Sequence, residues 1–69
     1  MAEERWFRQI EVNGVEYRAE FVRRPFREGL EVRVELPGET ITIAELGLGE
    51  LALLERARSL INEKIKKRQ

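Results

Sequence analysis

The chain has 69 residues, of which 42% are hydrophobic, and its thirteen basic and thirteen acidic side chains cancel, so we expect one small compact domain rather than a disordered segment. It contains no His and no Cys, and all thirteen acidic residues are Glu. Catalytic triads and zinc sites therefore lack the residue types that they need. We predict that the protein is not an enzyme and binds no cofactor and no metal. No apolar run reaches the roughly 18 residues of a membrane span, and the absence of cysteine and of a signal-peptide pattern makes the cytoplasm the expected location.

The first two predicted strands form a hairpin around Asn13-Gly14. Asn-Gly between β-rich flanks favours a two-residue type I′ turn, because both central residues need a positive φ. The strands are predicted at about 5–12 and 15–23. One face then carries Trp6, Ile10, Val12, Val15, Tyr17, Ala19 and Phe21, and the other carries Gln9, Glu11, Glu16, Arg18 and Glu20. Arg8 is the exception on the apolar face, and we expect it near an edge where its guanidinium reaches water.

A connection and a second hairpin follow. Pro25 and Gly29 interrupt the alternation and predict a loop, because proline cannot donate to a strand ladder. A clean alternation predicts a third strand at about 30–36. Pro37-Gly38 suits the middle of a type II turn, and a short fourth strand is predicted at about 40–45.

The C-terminal segment changes from a period of two to a period of about 3.6, which predicts a helix at about 49–66. Its apolar stripe consists of Leu53, Leu54, Ala57, Leu60, Ile61 and Ile65, with Leu51 at the margin. The predicted architecture is a single α+β domain over residues 1–69. It has two layers: an antiparallel sheet of three to four strands, in the order ββββα, with the amphipathic helix on one face.

The stretch from Glu35 to Ile61 is expected to close the core rather than to bind a ligand. Packing alone explains the spacing of its apolar residues. We therefore expect Leu54→Ala or Ile61→Ala to cost ~2–5 kcal/mol. On the outer face of the sheet, Arg33→Ala or Glu31→Ala is expected to cost under ~0.5 kcal/mol.

The residues from about 17 to 65 resemble the core of the HicB family of antitoxins. Leu36-Pro37-Gly38 matches the family's turn, and Leu53, Ala57 and Ile61 match the spacing of its helix. Glu35 departs from the pattern, because an Asp usually stands before the turn. The resemblance covers the core domain. It implies a partner-binding module that could neutralise a toxin, and it does not imply operator binding.

Aromatic residues are the candidates for contact with a protein partner. Trp6 and Phe7 point to opposite sides of the first strand, so one of them leaves the helix-covered face and invites a contact. Phe26 lies in the connection and either is exposed or packs under the sheet. The partner is expected to be another protein or a second copy of the chain, bound through an edge strand or the exposed sheet surface.

The alternative partner is a nucleic acid bound by two basic segments. The residues that would contact it are Arg23, Arg24 and Arg27 in the connection and Lys64, Lys66, Lys67 and Arg68 in the tail. This function requires the two segments to converge on one side. Binding through the sheet is disfavoured, because Arg18 and Arg33 stand there among five glutamates that repel phosphate.

The composition also bears on the origin of the chain. Abundant Glu and Arg with few thermolabile residues fit a thermophilic source, and a high-GC coding bias explains them equally well. An engineered scaffold without function is a third explanation. The regular alternation favours an engineered origin, whereas the poorly capped start of the helix argues against it.

Overall fold

The computed structural model describes residues 2–25, 29–44 and 47–67, which form a four-stranded antiparallel sheet with one helix packed on one face. The elements are β1 (Glu4–Val12), β2 (Val15–Arg23), β3 (Glu31–Leu36), β4 (Glu39–Ile43) and α1 (Glu50–Lys67). The strands lie in the order β1-β2-β3-β4, so β1 and β4 are the two edges. The predicted α+β fold is confirmed.

Two tight turns set the register of the sheet. Asn13 has a φ of 52° and Gly14 a φ of 79°, the pair of positive values that a type I′ turn requires. Gly38 follows Pro37 with a φ of 82°, as a type II turn requires of its third residue. The first hairpin pairs without interruption from Val12 opposite Val15 to Glu4 opposite Arg23.

The core lies between the sheet and α1. On this face Trp6 stacks on Phe21, with ring centroids 5.5 Å apart and planes 13° from parallel. Fully burying a Val, Leu, Ile or Phe side chain contributes roughly 1.5–3 kcal/mol to the free energy of unfolding, so these contacts supply most of the stability of the fold. The buried cluster consists of Ile10, Val12, Ala19, Phe21, Leu30, Val32, Val34, Ile41, Ile43, Leu53, Ala57 and Ile61.

The helix follows the predicted stripe, but its members are not equally buried. Leu53, Ala57 and Ile61 are fully buried, whereas Leu54, Leu60 and Ile65 are half-buried against the same cluster. Leu51 is 79% exposed. The helix begins where the Leu53 N–H donates to the Gly49 carbonyl at 3.0 Å, and Glu50 in its first turn complements the helix dipole.

Ion pairs join α1 to both edge strands. The Arg8 Nε of β1 lies 2.6 Å from the Glu50 Oε1 in the first turn of the helix. Near the other end, the Lys64 Nζ donates to the Glu39 Oε2 of β4 at 2.9 Å. Exposed pairs of this kind contribute at most about 1 kcal/mol each, so they orient the helix more than they hold it.

Val22 is a buried residue that the sequence did not predict. It lies opposite Arg5 of β1 and Glu31 of β3, so its side chain points to the outer face, away from α1. It is nevertheless only 1% exposed. The outer face is therefore not uniformly solvated, and this end of it has an apolar residue beneath its charges.

Candidate functional site

Phe7 is the exposed aromatic residue of the first strand. It lies on the outer face and is 46% exposed, whereas Trp6 packs against the core on the helix side. The Arg18 guanidinium carbon lies 4.1 Å from the centre of the Phe7 ring, a cation–π contact that leaves the ring accessible. Phe26, the third aromatic candidate, lies outside the described residues.

The free edge of β1, meaning its side away from β2, has a definite set of hydrogen-bonding groups. In a two-residue hairpin the residues flanking the turn, here Val12 and Val15, exchange both backbone hydrogen bonds, and bonded and non-bonded pairs then alternate. The residues that bond to β2 are thus Glu4, Trp6, Arg8, Ile10 and Val12. Those that direct their N–H and C=O groups to the free edge are Arg5, Phe7, Gln9 and Glu11.

The second hairpin supports this assignment independently. Its turn makes Leu36 and Glu39 a hydrogen-bonded pair, so alternate residues of β3, including Leu36, bond to β4. The alternation of hydrogen bonds that starts at the first turn, continued across β2, assigns the same residues of β3 to β4. On β4, Thr40 and Thr42 then point outward. The β1 edge therefore presents four outward residues over about 20 Å, and the β4 edge presents two.

Arg8 covers part of the β1 edge. Its Nη1 donates to the Phe7 carbonyl at 3.1 Å, which fits an outward-pointing carbonyl that β2 does not use. The Nε of the same guanidinium is held by Glu50, and the side chain stays 52% exposed. A charged side chain of this kind on an edge strand is a common protection against uncontrolled pairing.

An alternating chain of charges covers the end of the outer face above Val22. Each distance joins a guanidinium nitrogen to a carboxylate oxygen. In order along the chain of charges, the distances are 3.3 Å for Glu20–Arg5, 2.6 Å for Arg5–Glu3, 3.4 Å for Glu3–Arg24, 3.0 Å for Arg24–Glu31 and 2.7 Å for Glu31–Arg33. Burial of Glu31 alone would raise the pKa of its carboxyl group, but hydrogen bonds from Arg24 and Arg33 outweigh it and hold that pKa below its usual value. These guanidinium groups are therefore engaged within the chain.

The described basic candidates for nucleic-acid binding are not brought together. Arg23 lies 3.9 Å from Glu4 and against the Trp6 ring, and Arg24 binds Glu3 and Glu31. Lys64 lies beside Tyr17, Leu36 and Pro37, at the end of the sheet that holds the two turns. Six residues of β2, or about 20 Å, separate this end from Arg23. Lys66 and Lys67 continue the helix there, and Arg27 and Arg68 lie outside the described residues.

A shallow groove of about 680 Å³ crosses the outer face next to the pair Ala19 and Val34, at which the pairing of β2 with β3 ends. The residues that line it are Phe7, Glu16, Tyr17, Arg18, Glu20, Arg33, Glu35 and Thr40.

Within the described ranges there is no group of three His, Cys, Asp or Glu side chains that could hold a metal ion. In the same ranges, no helix has the length and apolar character needed to cross a bilayer.

Comparison of the chain with protein-family models, curated proteins and solved structures finds no match. The similarity to the HicB core therefore stays a prediction from the turn and the helix spacing.

Proposed function

We propose that the domain is a non-enzymatic protein-binding module that binds its partner by strand addition at the free edge of β1. The main support for the proposal is that four outward-facing residues and an exposed aromatic ring lie on the same strand edge. Phe7 belongs to both sets, because its backbone faces the free edge and its side chain is 46% exposed on the outer face.

The chemistry of the edge suits an extended peptide segment. Each added backbone hydrogen bond contributes about 0.5–1.5 kcal/mol, and side chains on alternate positions select the sequence of the added strand. Arg5 and Glu11 lie at the two ends of the outward set, so the edge favours a strand with the opposite charges at matching positions. Phe7 adds apolar surface that becomes buried on binding.

The resemblance to HicB antitoxins motivates a finer proposal, that the partner is a toxin. The residues that support it are the Leu36–Gly38 turn and the helix positions Leu53, Ala57 and Ile61. A neighbouring reading frame for a small ribonuclease-like protein, followed by copurification of the two products, would support it. A nucleic-acid ligand is the weaker alternative, because Arg23 and Arg24 are paired within the chain and lie far from Lys64.

Two proline variants test the proposed edge. Gln9→Pro removes an outward N–H of β1 without removing a hydrogen bond to β2, and Thr42→Pro does the same on β4. Tagged wild-type protein and Thr42→Pro are expected to capture the same partner from extracts of the source cells, and Gln9→Pro is expected to lose it. Retention of the partner by Gln9→Pro, with loss by Thr42→Pro, would place the site on the other edge. A wild-type domain that captures nothing would contradict the proposal.

A further inference from the structure

We propose that the free edge of β1 pairs with the same edge of a second copy, about a two-fold axis that passes between the two Arg8 residues. This rests on the proposed function and names the partner of the same edge. The result is a continuous eight-stranded antiparallel sheet with both helices on one side.

The positions of the outward residues select this axis. A two-fold axis normal to the sheet at residue 8 places Arg5 opposite Glu11 of the second copy and Phe7 opposite Gln9. All four outward residues then meet outward residues. An axis at residue 7 places Glu11 opposite Glu3, and an axis at residue 9 places Arg5 opposite the Asn13 turn. The arrangement about Arg8 is the register in which every outward N–H and C=O has a partner.

The charges are self-complementary in that register. Arg5 and Glu11 meet twice, once on each side of the axis, and opposite charges on facing strand positions contribute about 0.2–1 kcal/mol per pair. Both side chains are exposed on the outer face, and Arg5, which already pairs with Glu3 and Glu20 of its own copy, extends that chain of charges to Glu11 of the second copy. Phe7 and Gln9 of the second copy lie side by side at the centre of the outer face, so the pairing covers one side of the exposed ring.

The helix side of the same interface accounts for the exposure of Leu51. The Arg8 ion pair with Glu50 holds the first turn of α1 near the axis, and Leu51 is the next residue. It is 79% exposed, the most exposed of the large apolar side chains that the structure describes. Leu51 shares a helix face with Arg58 and Asn62, which lie beside Glu11 and Val12 of β1, so in the pair of copies the two Leu51 side chains face the axis from opposite sides. The two Arg8 side chains also meet there, and their like charges, which the ion pairs with Glu50 only partly offset, limit the strength of the pairing.

The size of the contact predicts a weak, concentration-dependent dimer. One pair of nine-residue strands with two helix ends lies below the about 1,200–2,000 Å² of a standard stable interface. We therefore expect micromolar dissociation, which sedimentation or light scattering detects over a range of roughly 10 µM to 1 mM. A strictly monomeric wild-type chain throughout that range would overturn the proposal.

Charge exchange tests the register itself. Arg5→Glu and Glu11→Arg each place like charges opposite each other at two positions, and each is expected to raise the dissociation constant at least about tenfold. An equimolar mixture restores both opposite-charge pairs and is expected to form a heterodimer. Glu35→Arg is the matched control, because it makes the same charge change on the same face of β3 and should leave the dimer unchanged. Circular dichroism checks that every variant is folded.

The outcomes separate this inference from the proposed function. Single variants that dimerise as well as the wild type, or a mixture that fails to associate, would overturn the register about Arg8. A monomeric wild type that captures another protein, with loss of capture in Gln9→Pro, would overturn self-pairing and leave strand addition standing. A dimer that neither Gln9→Pro nor the charge variants weaken would contradict both.

Discussion

Arg8 and Glu50 join the edge strand to the first turn of the helix, with 2.6 Å between Nε and Oε1. The same guanidinium donates to the Phe7 carbonyl at 3.1 Å. Arg8 therefore occupies a backbone acceptor that an added strand would need, and it places a positive charge at the proposed two-fold axis. Its expected role is to limit how strongly the edge pairs.

Arg8→Ala is accordingly expected to strengthen self-association. The substitution frees the Phe7 carbonyl and removes the like charges at the axis, so the dissociation constant should fall by about three- to tenfold. The folded monomer should lose under ~1 kcal/mol, because the ion pair is exposed. Sedimentation of Arg8→Ala beside Lys66→Ala, which removes the same charge far from the edge, measures the effect. Weaker association in Arg8→Ala would show that the arginine supports the interface instead.

Proline substitution tests the alternation of hydrogen bonds along β1. Gln9→Pro should cost little beyond Gln9→Ala, because the Gln9 N–H points to the free edge. Arg8→Pro should cost about 1–3 kcal/mol more than Arg8→Ala, since it removes a hydrogen bond to β2. Thermal melts of the four variants compare the two positions. An equal proline penalty at residues 8 and 9 would refute the assignment of the free edge.

The half-burial of Leu54 distinguishes it from Ile61. Ile61 is 0% exposed, so Ile61→Ala should cost about 2–5 kcal/mol, enough to unfold much of so small a domain. Leu54→Ala leaves a cavity that solvent partly fills and should cost about half as much. Denaturant unfolding of the two variants gives the comparison. Equal losses would mean that the two side chains are equally enclosed.

Glu31 and Arg33 are likewise not equivalent, although the sequence predicted a small cost for replacing either. The Glu31 side chain is only 15% exposed and accepts hydrogen bonds from Arg24 and Arg33. Glu31→Gln should therefore cost roughly 1–2 kcal/mol at neutral pH. Arg33→Ala leaves the Arg24 bond in place and should cost less.

The effect of Glu31→Gln should depend on pH. The folded-state pKa of Glu31 is lowered, so its carboxylate contributes stability that is fully present above the unfolded-state value of about 4.3 and is lost as the pH falls through the folded-state pKa. The difference between wild type and Glu31→Gln should therefore shrink in acid. Urea unfolding at neutral and at acidic pH measures it, with the exposed Glu35→Gln as the control. A difference that persists at low pH would assign the loss to packing.

Trp6 contains a buried polar group that no described residue satisfies. The indole Nε1 is buried without a hydrogen-bond partner among the described residues. Trp6→Phe keeps an aromatic ring on Phe21 and removes that buried N–H, so it should change stability by less than about 1 kcal/mol. Trp6→Ala, which loses the ring stacking as well, should cost clearly more. Melts followed by circular dichroism compare them, and a large loss in Trp6→Phe would indicate that the N–H has a partner.

Much of the architecture was predictable because it depends on local rules. Asn13-Gly14 requires a turn with two positive φ values, and that turn sets the pairing of the first hairpin and which residues share a face. The change of period after Gly49 likewise places α1 on the apolar face. Arg8 was correctly expected at an edge, since an arginine on an apolar face must reach water.

The candidate site was only partly predictable, because it depends on which strands lie at the edges and on what packs around each side chain. The register of the first hairpin already placed Trp6 on the apolar face and Phe7 on the other, but only the packed structure showed that Phe7 stays 46% exposed on an edge strand. Val22 gave a weak signal as an apolar residue on a charged face, and its burial depends on neighbours from separate strands.

The sequence by itself determined the strand and helix periods, the two tight turns and the face that each side chain occupies, since these follow from backbone preferences and the burial of apolar groups over a few residues. Only the tertiary structure decided that β1 has the longer free edge, that Arg8 reaches Glu50, and that the basic residues at 23–24 and 64–67 lie at opposite ends. These are relations between segments distant in the chain. Strand order and the docking of the helix set them, and no local pattern encodes either.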